Sequence, residues 1–482
     1  MLRKVGNFLF VNNSVRQTFV KNTFWLFVGE IVNRLFKFIL VLYAARILGV
    51  AGWGTFSYVF GVVSLFLVLS DLGLNVLVTR EVAKKNEQEF QYLSTAFFIR
   101  LVLLIVSTCL ILIIVPYISN IPEIRNILLI VALLLAFDSI RELLISLLRA
   151  MEQMEKEAFI KIIAGLLTGI FGLVVLFWIP SVENLVYAHL AGSAIGLALT
   201  VYILKKYLKN ILRNFSKNLV RPILETTWPL FIFGVIGVVM INTDIVMLGW
   251  WKTPVDIGWY SAAQRLIQFL LIIPSLIATA MFPIFSKLFS KDMAQLRNAF
   301  EKTLVFMFLL GLPMAVGGML LGKEIMLVVF GASYANSTLV FQIFLGMILI
   351  MFPMLIINNY IFVQNQQQKF VRPMIGGVFL NIVLNFFLIQ KFGIYGAATA
   401  TVLSNFILAV FMWQKAKKIS YFEIFPHIKK IVMATIVMGV ATLGLKYLGL
   451  NLFLNIALSG LIFFYILFML KEPILREIKN LF

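Results

Sequence analysis

Residues 93–115 read LSTAFFIRLVLLIVSTCLILIIV, an almost unbroken apolar stretch that contains one charged residue, Arg100. About twenty apolar residues in succession are long enough to cross the hydrocarbon core of a membrane as an α-helix. The stretch does not alternate between polar and apolar residues, as a strand of a membrane β-barrel would. It therefore predicts a transmembrane helix, because a helix makes its backbone hydrogen bonds within the segment.

Apolar stretches of this kind recur along the whole chain. Of the 482 residues, 61% are hydrophobic and only 13% are charged, a balance that excludes a water-soluble globular protein. Windows of roughly twenty residues predict about fourteen spans, near residues 22–48, 55–80, 93–115, 124–149, 158–179, 184–204, 228–250, 256–283, 300–321, 335–363, 372–390, 394–414, 431–447 and 452–470.

The basic residues predict the orientation of these spans. Of the 41 Lys and Arg residues, 30 fall in the segments on one side of the predicted membrane, six fall in the opposite loops and five fall within spans. By the positive-inside rule, the richer side and both termini are cytoplasmic. The net charge of +20 does not indicate nucleic-acid binding, because the basic residues form short clusters between spans and no continuous stripe.

Two pairs of similar segments predict an internal repeat. ILGVAGWGTFSYVF from Ile47 matches MLGWWKTPVDIGWYSAAQRL from Met247, and AHLAGSAIGLALTVYILKK from Ala188 loosely matches ATVLSNFILAVFMWQKAKK from Ala400. An even number of spans between copies makes the repeat parallel, about an axis along the membrane normal. The predicted fold is an all-α polytopic membrane protein with two six-helix lobes, divided into a cytoplasmic segment 1–21, an N-lobe 22–204, a basic connector 205–227, a C-lobe 228–414, and two final helices with a tail, 415–482.

Three charged residues share one face of the first span. Glu30, Arg34 and Lys37 are spaced i, i+4 and i+7, which places them on the same side of a helix. An ion in the middle of a bilayer costs several kcal/mol or more unless it is paired or hydrated. The pattern therefore predicts that this face lines a water-filled cavity.

Other spans also carry charged residues, namely Asp71, Arg100, Asp138, Arg141, Glu142, Asp244 and Arg265. Arg100 lies near the end of its span, where its side chain can reach the interface. The three charges of the fourth span form either a structural ion cluster or a ligand site. Those of the seventh and eighth spans form either a mutual ion pair or ligand contacts. His189 fits helix packing better than proton transfer, and no nucleotide-binding, metal or nucleophile motif occurs.

Three segments carry a family resemblance. AARILGVAGWGTFSYVF from Ala44, SDLGLNVLVTREVAK from Ser70 and FGIYGAATATVLSN from Phe392 resemble the polysaccharide-biosynthesis flippases of the Wzx-like group. These belong to the multidrug/oligosaccharidyl-lipid/polysaccharide exporter superfamily. Chain length, the number of spans and the basic connecting loops also fit, so the resemblance covers nearly the whole chain.

The resemblance implies a transporter and no enzymatic activity. Two lobes would alternate between inward-open and outward-open states and carry an undecaprenyl-diphosphate-linked oligosaccharide to the periplasmic leaflet of a bacterial-type inner membrane, for O-antigen, capsule or exopolysaccharide synthesis. Proton or sodium coupling is expected, and no resident cofactor or metal. The expected partners are membrane lipids, the lipid-linked oligosaccharide, and the polysaccharide polymerase with its chain-length machinery, without nucleic acid.

The residue pattern fits this expectation, because cations in a cavity attract a diphosphate and neighbouring acids can take up protons or cations. The predicted substrate-binding residues are Arg34, Lys37, Arg100, Arg141 and Arg265. The predicted ion- or proton-coupling residues are Glu30, Asp71, Asp138, Glu142 and Asp244.

Three other functions compete with this interpretation. A multidrug or cation antiporter of the same superfamily would bind organic cations, which the excess of basic residues in the first lobe disfavours. A membrane glycosyltransferase or polysaccharide polymerase would be expected to have a larger extracytoplasmic loop than any found here. A scaffolding protein would have no need of costly charges inside its spans.

The predicted orientation can be tested at Asn214, in the basic connector. A cysteine placed there, in a background in which Cys109 is replaced by alanine, should resist an impermeant thiol reagent in intact cells and react after the membrane is opened. Labelling of Asn214→Cys in intact cells would show that the orientation is wrong.

Overall fold

The computed structural model of the protein describes residues 15–84, 88–119, 121, 124–366, 368–419 and 422–472. The chain divides into two compact units, Met1–Gly258 (unit 1) and Trp259–Phe482 (unit 2). Much of the predicted cytoplasmic segment 1–21, and the tail after residue 472, lie outside the described residues.

Helices make up both units. Those of unit 1 are α1 (Val15–Asp71), α2 (Leu74–Ala83), α3 (Glu89–Ile118), α4 (Ile124–Ala150), α5 (Met154–Trp178), α6 (Val182–Ile203), α7 (Lys205–Arg213) and α8 (Lys217–Trp251). Helix α9 (Pro254–Leu270) begins in unit 1 and continues into unit 2. Unit 2 also contains α10 (Ile272–Phe289), α11 (Met293–Leu320), α12 (Gly322–Phe330), a 3₁₀ turn (Ala332–Tyr334), α13 (Ser337–Val363), α14 (Gln368–Ile419), α15 (Phe425–Tyr447) and α16 (Leu452–Met469).

The helices confirm the predicted all-α polytopic membrane fold. Within the described residues, eleven helical segments are long and apolar enough to span a membrane. Two of them, in α1 and α14, are interrupted by a kink and can each cross twice. Helix α4 has 27 residues and is also long enough, although it carries several charges. Counted in this way, the described helices account for the predicted fourteen spans, and the protein is a multi-pass membrane protein.

Two glycines make the kinks that separate neighbouring spans. Gly49 in α1 has φ 70° and ψ 179°, and Gly393 in α14 has φ 59° and ψ −132°. Positive φ values are readily adopted by glycine and are costly for residues with a Cβ atom. The two kinks lie where the sequence predicts breaks between the spans 22–48 and 55–80 and between the spans 372–390 and 394–414.

The predicted second span, residues 55–80, is wrong as a continuous helix. It is broken between α1 and α2, where Leu72 has φ 43° and Gly73 has φ 75°. A Cβ atom on Gly73 would lie 2.5 Å from the Cβ of Leu230 in α8. Glycine at position 73 therefore allows both a left-handed backbone and the close approach of α8. The break places Asp71 at the end of α1.

Small residues bring the helices of unit 1 close together. A Cβ atom on Gly29 of α1 would lie 2.9 Å from the Cα of Ala158 in α5, and one on Gly196 of α6 would lie 2.8 Å from the Cβ of Ala164 in α5. In a membrane, where lipid is as apolar as a side chain, such close packing drives helix association. Helix α5 therefore packs closely against both α1 and α6.

The two segments that suggested a repeat contact each other through their glycines. A Cβ atom on Gly54 would overlap the backbone carbonyl of Pro254, and one on Gly258 would overlap the backbone carbonyl of Val50. Helix α8, which the sequence analysis assigned to the C-lobe, packs on α1 within unit 1, where a Cβ on Gly249 would overlap the ring of Tyr58. The lobe boundaries drawn from the sequence stay a prediction.

Unit 2 is held by aromatic and amide contacts. The rings of Phe300 in α11 and Tyr360 in α13 stack with 4.0 Å between centroids. Across the kink of α14, the buried Asn381 amide donates to Ser404 Oγ at 3.2 Å. In the last helix pair, Thr442 Oγ1 donates to Ser459 Oγ at 2.8 Å. These polar side chains form hydrogen bonds between helices and so stabilise helix packing within the membrane.

The Gly54 contact predicts a sharp difference between two alanine substitutions. Gly54→Ala should lower the midpoint of thermal unfolding in detergent, because its methyl group must displace the backbone at Pro254, and overpacking typically costs about 1–3 kcal/mol. The matched control is Gly444→Ala in α15, where an added Cβ would have no described atom within 4 Å. Equal midpoints for the two variants would contradict the close approach.

Candidate functional site

A polar cavity of about 300 Å³ lies inside unit 1, among α1, α4, α5 and α6. It is large enough for roughly ten water molecules at about 30 Å³ each. Five of the ten residues that the sequence analysis selected line it: Glu30, Lys37, Asp138, Arg141 and Glu142. The charges of the first and fourth spans, which lie far apart in sequence, therefore meet in one cavity.

Helix α1 contributes two of its three charged residues, Glu30 and Lys37, to the cavity lining, whereas Arg34 is not a lining residue and is 42% exposed. Glu30 accepts a hydrogen bond from Arg34 Nε at 2.6 Å, one turn further along the helix. The other oxygen of Glu30 lies 3.8 Å from Lys161 Nζ of α5. Lys37 lines the cavity, and none of the described carboxylates lies within ion-pair distance of its ammonium group. Lys37 is therefore the cavity cation that is most available to a ligand.

The ion pairs continue from Lys161 to the ends of α4 and α5. Lys161 Nζ lies 3.0 Å from Glu157, whose side chain is only 1% exposed. Arg149 binds both oxygens of Glu157 from its Nε, at 3.1 and 2.9 Å, and also reaches Glu142 at 3.3 Å. A chain of ion pairs thus connects three helices, through Arg34, Glu30, Lys161, Glu157, Arg149 and Glu142.

Three members of this chain were not among the predicted site residues. Arg149 and Lys161 belong to the 30 basic residues assigned to the cytoplasmic side, and Glu157 had no predicted role. The spacing of Glu157 and Lys161, i and i+4, is the same as that of Glu30 and Arg34 and could have indicated a second charged helix face.

A second group of charges occupies another wall of the cavity. Arg141 Nη1 lies 2.9 Å from Asp138, and the Ser193 hydroxyl of α6 donates to the same carboxylate oxygen at 2.5 Å. His189 lies 2.9 Å from the Leu185 carbonyl through Nδ1, which must be the donor because a carbonyl only accepts. Its ring contacts Phe56 at 5.5 Å between centroids, so His189 packs against α1 and also lines the cavity.

Arg100 forms a separate network with Asp71 in unit 1, in which the arginine is buried and the Asp71 side chain is 47% exposed. The Arg100 side chain is 1% exposed. Its guanidinium donates to the Asp71 carboxylate, to Asn75 Oδ1 at 3.1 Å and to Ser139 Oγ at 2.7 Å. Arg100 therefore does not snorkel. It binds oxygens of three helices beside the break that follows Asp71.

The remaining two predicted site residues lie in different units. Asp244 is fully buried in α8 of unit 1. Arg265 lies in α9 of unit 2, where its Nη1 donates to Gln268 Oε1 at 3.1 Å. The alternatives for these residues, a mutual ion pair or ligand contacts, stay predictions.

The described residues contain no group of three or more His, Cys, Asp and Glu side chains that could hold a metal ion. The cavity instead offers alternating cations and carboxylates. Such a site can bind an anion, exchange an ion-pair partner for a ligand, or take up a proton on a carboxylate. Each of these events would change the partners of the neighbouring charges.

Comparisons with known proteins agree with the fold. The chain is 26% identical over 475 residues, 95% of this chain and 97% of the relative, to the Haloferax volcanii protein named "Probable low-salt glycan biosynthesis flippase Agl15". Among solved structures it is similar to the lipid II flippase MurJ in an inward closed conformation, with a TM-score of 0.76 at 16% identity, covering 94% of this chain and 99% of that one.

A multidrug resistance MATE family transporter of the MOP superfamily, in an inward-facing conformation, is also similar, with a TM-score of 0.66 at 13% identity over 80% of this chain and 94% of that one. At such low identities the two structures show the fold alone. The family model for polysaccharide biosynthesis proteins matches residues 19–289, more than half of the chain. The chain therefore belongs to the polysaccharide biosynthesis protein family.

Proposed function

We propose that this protein is a flippase that moves a polyprenyl-diphosphate-linked oligosaccharide across the cytoplasmic membrane by alternating access, for the synthesis of a surface polysaccharide. The observation that carries the proposal is the charged cavity of unit 1, in which Lys37 has no ion-pair partner among the described residues. Membership of the polysaccharide biosynthesis family and the likeness to relatives named flippases support it. The undecaprenyl carrier, both cytoplasmic termini and cooperation with a polymerase belong to the same proposal.

In this proposal the diphosphate of the substrate binds first at Lys37. An ammonium group binds phosphate as a point charge, whereas a guanidinium group can bind two phosphate oxygens at once. The guanidinium groups of Arg34 and Arg141 already face Glu30 and Asp138. A phosphate must therefore compete with these carboxylates.

This competition couples protons to substrate. Protonation of Glu30 removes the negative charge that holds the neighbouring Arg34 guanidinium group and frees it for phosphate. A proton and a diphosphate therefore favour each other's binding in the same cavity. The chain of ion pairs transmits the change to α4 and α5, because Glu30 also faces Lys161.

Arg100 and Asp71 have a different role in the proposal. The Arg100 guanidinium is buried and bound to oxygens of unit 1 itself. We assign it to positioning α1, α2 and α4 around α3, and not to direct contact with the substrate. Arg265 and Asp244 keep their predicted roles in substrate binding and ion coupling.

The first prediction concerns Lys37. Lys37→Ala should reduce flipping at least about tenfold, since one lost charge-assisted phosphate bond is worth about 1.5–3 kcal/mol, while Lys37→Arg should keep much of the activity. Flipping is measured in proteoliposomes, by following a fluorescent polyprenyl-diphosphate oligosaccharide from one leaflet to the other. Lys217→Ala, at an exposed position at the start of α8, is the control. Wild-type flipping by a well-inserted Lys37→Ala variant would remove the cavity from the mechanism.

The second prediction concerns Glu30 as a coupling group. Binding of undecaprenyl diphosphate to the wild type should tighten once the pH falls far enough into the acidic range to protonate Glu30, because a neutral Glu30 releases Arg34. Glu30→Gln mimics the protonated form and should flatten this dependence on pH. The matched control is Glu225→Gln, which alters a surface pair of the same i, i+4 geometry, with Arg221 88% and Glu225 64% exposed. An unchanged pH dependence in Glu30→Gln would assign the coupling to another carboxylate.

The third prediction concerns Arg100. Arg100→Leu should lower the thermal midpoint in detergent, because it removes the hydrogen bonds that join Asp71, Asn75 and Ser139, and a hydrogen bond to a charged group is worth about 1.5–3 kcal/mol. Arg100→Leu combined with Asp71→Asn should recover only a small part of the loss, because the Asp71 side chain is 47% exposed and water can solvate it. If Arg100 bound the substrate, Arg100→Leu would instead keep the wild-type thermal midpoint and lose substrate binding. That result would return Arg100 to the substrate site.

A further inference from the structure

A second charged cavity lies in unit 2 and shares no lining residue with the cavity of unit 1. It has a volume of about 590 Å³ and lies between the beginning and the end of α14, which the kink at Gly393 folds into two antiparallel spans. Four of its lining residues are cations: Lys369, Arg372, Lys415 and Lys418. None of its lining residues is acidic. This cavity, the α14 basic cavity, lies at the end of the helix pair that the charge distribution predicts to be cytoplasmic.

The four cations are not neutralised by the protein. Within the part of the chain that the structure describes, none of them forms an ion pair with a carboxylate. Lys415 is held in place, since it donates to the Lys369 carbonyl at 3.2 Å and its ammonium lies 4.8 Å from the centre of the Phe411 ring. The side chains of Lys369, Arg372 and Lys418 are exposed. Four like charges around one space repel each other, so the arrangement favours an anionic occupant.

An apolar groove lies along the same two spans, with Pro373 next to Arg372 and Phe411 one helical turn from Lys415. It has a volume of about 160 Å³ and is lined by Pro373, Gly376, Gly377, Leu380, Ile407, Leu408 and Phe411. A Cβ atom on Gly376 would have no described atom within 4 Å, so glycine leaves this space open. Ile407 is 45% and Phe411 43% exposed, as expected for side chains that face lipid. Phe411 touches both the groove and the ammonium of Lys415.

We propose that the α14 basic cavity and this groove together bind one anionic phospholipid, with the phosphate headgroup among the four cations and part of an acyl chain in the groove. Basic pockets between transmembrane helices on the cytoplasmic side bind anionic headgroups in this manner. The order of the cavity and the groove fits a phospholipid. The cations lie at the ends of the two spans, near the aqueous interface, and the apolar groove lies further into the membrane. A free phosphate ion would have no use for the groove. The site goes beyond the proposed flipping of a sugar lipid and does not depend on it.

The site can be tested on the full-length protein in detergent by native mass spectrometry, which counts bound phosphatidylglycerol across a concentration series. Combined replacement of Lys369, Arg372 and Lys418 by glutamine should weaken binding at least about tenfold, because each cation near the surface contributes to the attraction. Lys415 is left unchanged because it also binds the backbone. The matched control replaces Lys206, Lys209 and Arg213 of α7 by glutamine, the same change in charge at exposed positions.

A second variant distinguishes the contribution of the lipid's acyl chain to binding from that of its headgroup. Gly376→Leu fills the groove without changing the charge, and it should weaken phosphatidylglycerol binding while the protein keeps its thermal midpoint. Phosphatidylcholine should bind much more weakly than phosphatidylglycerol to the wild type. Equal loss in the α7 control, equal binding of the two lipids, or unchanged binding in Gly376→Leu would each overturn the proposal.

Competition identifies the source of the phosphate. Inorganic phosphate at the same concentration should not displace phosphatidylglycerol, since it cannot occupy the groove. Undecaprenyl diphosphate should not displace it preferentially either. Preferential displacement by either compound would overturn the assignment to a phospholipid and would make the cavity a free-anion site or an entry site for the transported lipid.

Discussion

An ion inside a membrane needs a partner or water, and the arrangement of unit 1 follows from that constraint. Removing a charged group from water costs several kcal/mol, and only close ion pairs with further hydrogen bonds recover this cost. Unit 1 meets the requirement with a chain of alternating charges that extends over α1, α5 and α4. Because each inner member of the chain serves two neighbours, a change at one residue alters the partners of the next.

Close helix packing makes this chain of charges attainable. The α1 backbone approaches α5 at Gly29, next to Glu30, and a Cβ atom on Gly165 of α5 would overlap the amide oxygen of Asn33. Larger residues at these positions would hold the helices apart, and Lys161 would no longer reach Glu30 at 3.8 Å. The small residues of the interface and the charges of the cavity are therefore parts of one arrangement.

The two units use polar groups in different ways. Apart from Arg265 of α9, the membrane interior of unit 2 is joined by neutral amides and hydroxyls, such as Asn381 with Ser404, which bond between helices at a small electrostatic cost. Four cations that form no ion pair among the described residues lie at the ends of α14, where water and lipid headgroups can solvate them. Unit 1 instead encloses its charges in a cavity, where a change of protonation or of ligand has the largest effect on neighbouring groups.

The sequence by itself determined the features that depend on local spacing and composition. Apolar stretches of sufficient length predict the membrane spans, and the spacing of Glu30, Arg34 and Lys37 places them on one helix face because the helical period is fixed. The kinks at Gly49 and Gly393 fall where breaks between spans are predicted.

Only the tertiary structure decided which charges meet. Nothing in the spacing along the chain shows that Glu30 faces Lys161, 131 positions away, or that Arg100 binds Ser139 and not the cavity. The break at Gly73 also went unpredicted, since it depends on the approach of Leu230 from α8. These contacts depend on how closely and at what rotation the helices pack, and that is fixed by side chains from several helices at once and not by the period of any one of them.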